Sequence, residues 1–333
     1  MTTRLLEGDC RVLLPTLDAN SIQCCVTSPP YYGLRDYGVD GQIGLEQTPD
    51  EYVAQLVEVF RGVRRLLRED GTLWLNLGDS YAMNLKANAN RSGADTRGGL
   101  AKAAERADGV PRSQANRTDN SGAAFGNMVA RTVPTGLKSK DLLGIPWRVA
   151  FALQADGWWL RSAIVWHKPN PMPESVKDRP TSAYEMVFLL AKQPGYFYDA
   201  DAIREEITSD RAPSRKAKKN GAGHLALRPV TEGAAYDGTG SHRNARNVWT
   251  ITPKPYKGAH FATMPIDLAA RCILAGSRIG DTVLDPFGGS GTTGLAADIH
   301  QRHSVLIELN TAQYTDLARD RITSDAPLFA SVI

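Results

Sequence analysis

No run of apolar residues in the 333-residue chain approaches the roughly 18 needed to span a membrane, and the N-terminus lacks a long apolar stretch of the secretory kind. A soluble, cytoplasmic protein is the expectation. Cysteine is scarce: Cys10, Cys24, Cys25 and Cys272 follow no metal-ligand spacing, so no metal site and no disulfide framework are expected. The adjacent pair inside an apolar run reads as small core residues in a reducing compartment. Net charge is also nearly absent, with 39 Lys+Arg against 36 Asp+Glu, so the overall balance points to no acidic partner.

What the chain does have is an abrupt corner. The apolar run from Ile22 to Val26 ends in Thr27-Ser28-Pro29-Pro30-Tyr31-Tyr32. Proline lacks an N–H, fixes φ and holds the residue before it extended, so Ser28 and Pro29 turn their carbonyls outward. The result is a ledge rich in acceptors and poor in donors. Tyr31 adds a flat face on which a nucleobase can stack, a contact worth about 1–3 kcal/mol. An amino group on a planar heterocycle suits both features. An ordinary double-proline turn beside a core tyrosine would use the same residues, so a second motif must decide.

Along the chain, strand and helix patterns alternate. Arg4 to Glu7 reads as a strand ending at Gly8-Asp9, followed by a brief helix that Pro15 interrupts. Thr48-Pro49-Asp50-Glu51 forms a capping box, after which Tyr52, Leu56, Val59, Phe60, Val63 and Leu67 recur at helical spacing until Asp70-Gly71. Leu73 to Leu77, Trp158 to Trp166 and Tyr184 to Ala191 read as further strands. Asp9 and Ser28 both fall at strand carboxyl ends, where parallel sheets place functional loops. Two segments break the pattern. Residues 82–140 form a polar insertion, and residues 196–257 are irregular and basic, with Arg211, Arg215, Lys216, Lys218, Lys219, Arg243 and Arg246 interleaved with aromatics, a composition that suits nucleic acid.

The last block returns to alternating elements around Asp285-Pro286-Phe287-Gly288-Gly289-Ser290-Gly291-Thr292-Thr293-Gly294, with Glu308 at the distance of a ribose-binding acid. Alone, the spacing of Gly289, Gly291 and Gly294 also fits a nicotinamide oxidoreductase. However, the loop has no lysine to cradle a phosphate, and Asp285 at its entrance would repel pyrophosphate. S-adenosylmethionine, with its ammonium, sulfonium and adenosine, suits that electrostatics better than NAD.

Together, and in this order, the two motifs resemble the amino-group DNA methyltransferases that modify N6 of adenine or N4 of cytosine. Ser28-Pro29-Pro30-Tyr31 is similar to their (Asp/Asn/Ser)-Pro-Pro-(Tyr/Phe) motif. The glycine loop looks like their cofactor motif, and His260-Phe261-Ala262-Thr263-Met264-Pro265 resembles the segment that precedes it. Catalytic motif first and cofactor motif last is the order of the family's β group. The resemblance implies an α/β fold, a circularly permuted Rossmann-like class I methyltransferase domain with a mostly parallel central sheet and helices on both faces. It divides the chain into a catalytic half (1–81 and 141–195), the insertion (82–140), a target-recognition region (196–257) and a cofactor-binding half (258–333).

By the same resemblance S-adenosylmethionine is the cofactor, bound by Asp9, Phe261, Asp285, Pro286, Phe287, Gly288, Gly289, Ser290, Gly291, Thr292, Thr293, Glu308 and Asn310. Lys168, Asn170 and Arg179 would line the DNA side. The substrate is double-stranded DNA with the target base flipped out, and a homodimer is an expectation; no nuclease partner is indicated. Between the two bases, serine at the first motif position leans toward cytosine N4, while the extended stretch from Thr27 to Gly38 resembles adenine-modifying enzymes. The expectation is N6 of adenine, with N4 of cytosine the alternative.

Overall fold

The computed structural model describes residues 1–82, 133, 136–206, 242–253, 264–325 and 331–332. Its first strand, β1 (Thr2–Glu7), pairs with β10 (His303–Glu308) from the far end of the chain, in parallel register from Thr3 opposite Ser304 to Glu7 opposite Glu308. The same crossing recurs at the centre. There β2 (Ile22–Thr27) lies beside β9 (Thr282–Asp285), with Cys24 opposite Val283 and Cys25 opposite Leu284. Beyond β2 come β3 (Leu67–Leu77), β5 (Tyr184–Ala191), β4 (Trp159–His167) and β8 (Val248–Thr250), while β11 (Ser331–Val332) borders β1. The order is β11-β1-β10-β9-β2-β3-β5-β4-β8, and every strand is parallel except β5, which runs antiparallel to β3 and β4. The half bearing the proline corner comes first in sequence and the half bearing the glycine loop last, yet both interleave in one sheet. This is the permuted Rossmann-like α/β arrangement.

Side-chain alternation explains the paired cysteines. Cys25 joins Leu73 and Leu75 under α2 (Pro49–Leu66) and α3 (Ile145–Ala155), whereas Cys24 joins Val26 and Trp74 under α4 (Ile266–Gly276). Successive strand residues face opposite sides, so one small thiol fills each layer. All four cysteines are free and buried. The helices α5 (Thr292–Ile299) and α6 (Thr311–Asp325) complete the α4 side, where Leu306 packs on Ala318 and Ile322.

α2 begins as its sequence predicts: Glu51 N–H donates to the Thr48 hydroxyl at 3.2 Å, and Thr48 N–H to the Glu51 carboxylate at 3.1 Å. Its end differs. The periodicity runs to Asp70-Gly71, but the helix stops at Leu66, and Leu67 turns extended to open β3 opposite Ile22. Leu67 is fully buried there, so sheet pairing keeps it as well buried as another helical turn would. Among the described residues no helix is long and apolar enough to cross a membrane.

Candidate active site

The corner and the glycine loop meet through one carboxylate. Thr27, the last residue of β2, donates its hydroxyl to Asp285 Oδ1 at 2.6 Å, and Thr293 in the first turn of α5 donates to Oδ2 at 2.7 Å. Phe287 N–H adds a third donor at 3.0 Å, and Thr293 Oγ1 lies 3.2 Å from the Val26 carbonyl. Asp285 is only 3% exposed, and burial raises its carboxyl above the usual range against the pull of these donors. Asp285 therefore braces the corner from beneath the glycine loop, tying the end of β2 to the first turn of α5.

At the corner itself, Ser28 is partly exposed beside a buried Pro29. The Pro30 carbonyl is occupied, accepting from the Tyr52 hydroxyl at 2.8 Å. The Pro29 carbonyl has no hydrogen-bond partner among the described residues. So the ledge keeps two acceptors with spare lone pairs among the described residues, Ser28 Oγ and the carbonyl of the buried Pro29.

Tyr31 is pinned at both ends. Its hydroxyl donates to Glu185 Oε2 at 2.5 Å, and its ring lies so close to Gly78 that a Cβ there would fall 2.5 Å from Cε2. Glu185 in turn accepts from Asn76 Nδ2 at 3.0 Å and pairs with Lys168, whose ammonium sits 4.5 Å above the Trp166 ring. Burial and the Glu185 charge push the Tyr31 phenol well above its ordinary pKa, so it stays a donor. Sequence reading missed Asn76 and Glu185 here. Each is a lone polar residue near the end of an apolar strand, in Leu73-Trp74-Leu75-Asn76-Leu77 and Tyr184-Glu185-Met186-Val187, and that pattern was the available signal.

In the glycine loop, Phe287 and Gly289 keep partial exposure, whereas Pro286, Gly288, Ser290, Gly291, Thr292 and Thr293 are buried. Gly291 has φ +75°, and a Cβ on it would lie 2.9 Å from the Ala318 Cβ, so only glycine fits this turn. Glu308 underlies the loop, accepting from Gly289 N–H and Asn310 N–H, each at 2.7 Å; burial raises its carboxyl above the usual range. Two carboxylates beneath an open glycine turn without a lysine suit a cation bearing hydroxyls, so these residues fit S-adenosylmethionine.

Other expected residues are placed less directly. Asp9 caps α1 (Cys10–Leu13) and is held by the Arg11 guanidinium at 2.6–3.0 Å; burial would raise its carboxyl, but Arg11 holds it below the usual range. The short ribbon of β6 (Glu205–Glu206) and β7 (His242–Arg243) brings Arg243 and Arg246 onto one carboxylate, Glu205. Arg179 stacks 4.0 Å over Tyr81 and pairs with Glu174. Phe261 and the candidates Arg211, Arg215, Lys216, Lys218 and Lys219 lie outside the described residues. Among the described residues no cluster of His, Cys, Asp or Glu could hold a metal.

A sheet of this topology, with a proline corner beside a glycine turn at its carboxyl edge, defines an α/β methyltransferase. The N6/N4 methyltransferase family of DNA methylases matches residues 22–319, and the chain belongs to it. It is accordingly an S-adenosylmethionine-dependent DNA methyltransferase. It is 44% identical to the Type II methyltransferase M.Cfr9I of Citrobacter freundii over 96% of this chain and 88% of the relative. The Type II methyltransferase M.SmaI of Serratia marcescens is 43% identical over 96% of this chain and 90% of its own. Among solved structures, a putative DNA modification methylase from Thermus thermophilus, complexed with S-adenosyl-L-methionine, shares the fold with TM-score 0.57 at 23% identity, over 99% of this chain and 98% of that one. The cytosine-N4-specific PvuII DNA methyltransferase does so with TM-score 0.59 at 17% identity, over 100% and 95%.

Proposed function

We propose that this enzyme methylates the exocyclic amino nitrogen of a base flipped out of duplex DNA, at the corner formed by Ser28, Pro29, Pro30 and Tyr31. The observation that supports this is the Thr27–Asp285 hydrogen bond, which joins the residue before Ser28 to the strand end that leads into the glycine turn. A base within a duplex cannot reach such a recess, so flipping is required. S-adenosylmethionine, when bound, supplies an electrophilic methyl on a sulfonium. Ser28 Oγ and the Pro29 carbonyl accept the two amino hydrogens. That withdraws the nitrogen lone pair from conjugation with the ring and aims it out of the ring plane. Tyr31 stacks on the base and fixes its position.

Glu308 is assigned to the ribose hydroxyls, Phe287 and Gly289 to the open face of the cofactor recess, and the basic residues from Arg211 to Arg246 to the DNA backbone. Between the two bases, the stretch from Thr27 to Gly38 whose likeness favoured adenine contains the corner itself, with Gly33 N–H donating to Gly44 O beside the Tyr31 carbonyl, and so marks neither base. That leaves Ser28, whose neutral hydroxyl favours N4 of cytosine, with N6 of adenine the second reading. Labelled methyl transfer to duplex DNA, RNA and protein tests the substrate class, and mass spectrometry of nucleosides from the product tests the base. Ser28→Ala and Tyr31→Ala should abolish transfer while cofactor binding persists; near-full activity in Tyr31→Ala would refute the site.

A further inference from the structure

The strand reversal in this sheet has a chemical use. Because β5 runs antiparallel, its second residue rather than its penultimate one lies at the carboxyl edge of the sheet, with Glu185 opposite Trp166 of β4. This brings a carboxylate behind the proline corner. We propose that Glu185 is the positioning residue of the site: it anchors Tyr31 through the phenol and, through that phenol, turns the Ser28 hydroxyl so that its oxygen meets the substrate amino group as an acceptor. The inference rests on the roles proposed above for Ser28 and Tyr31.

The geometry fixes the direction of each proton. Tyr31 has one hydroxyl proton and two acceptors near it, Glu185 Oε2 at 2.5 Å and Asn76 Oδ1 at 3.4 Å, so the proton goes to Glu185. Glu185 Oε2 already receives Asn76 Nδ2 and its Oε1 faces Lys168, so toward Tyr31 the carboxylate only accepts. The lone pairs of Tyr31 Oη therefore face the Ser28 hydroxyl at 3.4 Å, a long contact that orients more than it binds. With its proton turned inward to Tyr31, Ser28 presents lone pairs outward. With the proton turned outward it would be a donor facing the donor amino group, and the ledge would lose one of its two acceptors. Gly78 closes the remaining freedom by holding the ring face while Glu185 holds the edge.

The test is a double-mutant cycle on the full chain with Glu185→Gln and Tyr31→Phe, read as single-turnover transfer of labelled methyl to duplex DNA. Cofactor dissociation constants are measured by equilibrium dialysis beside it. The amide introduced by Glu185→Gln can donate to the phenol and reverse the chain, whereas Tyr31→Phe keeps the ring but ends the chain. Each single variant is expected to lose about 10²-fold in rate, the scale of one preorganised hydrogen-bonding group. The loss should fall on kcat rather than on the KM for DNA. The double variant should lie within about threefold of the worse single, because the two residues act in series. Cofactor affinity should stay within about twofold of the wild type, since neither side chain hydrogen-bonds to the glycine loop.

Glu185→Gln transferring within about threefold of wild type, or losses that multiply fully in the double variant, would overturn the inference. Should Glu185→Gln fail to fold, Tyr31→Phe decides alone, and a wild-type rate in that variant means the ring suffices without the phenol. Ser28→Ala separates the levels: if it too is active, the site reading fails; if it is inactive while Glu185→Gln is active, only the role of Glu185 fails.

Discussion

Thr27 and Asp285, 258 residues apart in sequence, share a 2.6 Å hydrogen bond at the point where the two halves of the sheet meet. The carboxylate is buried, so its ionised form is disfavoured in the fold and its pKa lies above the ordinary 3.8. The stability linked to this group is thus full below about pH 4 and declines as pH rises through the raised value. Asparagine escapes that decline. Its oxygen can accept from Thr27 and Phe287, and its NH2 can donate to Thr293, whose own proton then turns to the Val26 carbonyl 3.2 Å away. Asp285→Asn should match or exceed the wild-type Tm at pH 7–8, with the advantage fading toward pH 4 in pH-stepped calorimetry. Having lost the negative charge under the glycine turn, it should bind S-adenosylmethionine about tenfold more weakly, about 1.4 kcal/mol. Unchanged affinity would restrict Asp285 to a structural role.

Gly78 is where the Tyr31 ring touches backbone, and an added Cβ would lie 2.5 Å from Cε2 and 2.9 Å from Cδ2. Because Glu185 holds the phenol, the ring cannot slide along its own axis to make room. Gly78→Ala should lower stability by about 1–3 kcal/mol as an overpacking change. It should reduce methyl transfer about 10²-fold, because a misplacement of about 1 Å is enough for that loss. Denaturant midpoints and cofactor titration on the same preparation distinguish a displaced ring from a collapsed fold: affinity for the cofactor should be retained.

Much of this site was legible in the sequence because turns and caps are local. The proline corner, the glycine turn and the Thr48–Glu51 capping box each declare themselves within a short stretch of chain. Side-chain partners are not local. Asp285 stood out as a carboxylate at the entrance of the glycine loop, and only the pairing of β2 with β9 brings Thr27 to it. Glu185 gave no functional signal, since a polar residue opening an apolar strand is ordinary until the antiparallel pairing sets it against Tyr31. Arg11 was unremarkable for the same reason, although it occupies Asp9 and reaches the Gly41 carbonyl at 2.7 Å.

Arg321 of α6 braces the glycine loop from outside. One of its guanidinium nitrogens, Nη1, lies 3.2 Å from the Ser290 carbonyl and 2.9 Å from both Ser290 Oγ and Thr292 Oγ1. Arg321→Met keeps the aliphatic stem packed but removes these donors. The loop should then sample conformations that bind poorly, raising the cofactor dissociation constant about tenfold. At saturating cofactor the methyl-transfer rate should return to within a few-fold of wild type. A rate that stays depressed at saturation would mean that Arg321 also shapes the catalytic corner.

Glu205 gathers Arg246 at 2.8 Å, Arg271 at 3.2 Å and Arg243 at 3.5 Å, and Arg271 also stacks 4.6 Å from the Trp249 ring centre. Burial alone would raise the Glu205 carboxyl, but Arg246 and Arg271 hold it below its ordinary 4.5. Its stabilising effect is therefore present above about pH 4.5 and lost as pH falls through the depressed value. Glu205→Gln should be less stable than wild type at pH 7, and the two should converge in acid. If Arg243 and Arg246 also face the DNA backbone, removing the shared carboxylate frees charge for phosphate. The logarithmic slope of DNA affinity against salt should then steepen by about 0.9, the increment of one phosphate contact, and Arg246→Ala should flatten it by a similar amount. Slopes unchanged in both variants would make the cluster a structural clasp for the short ribbon and leave phosphate contact to other basic residues.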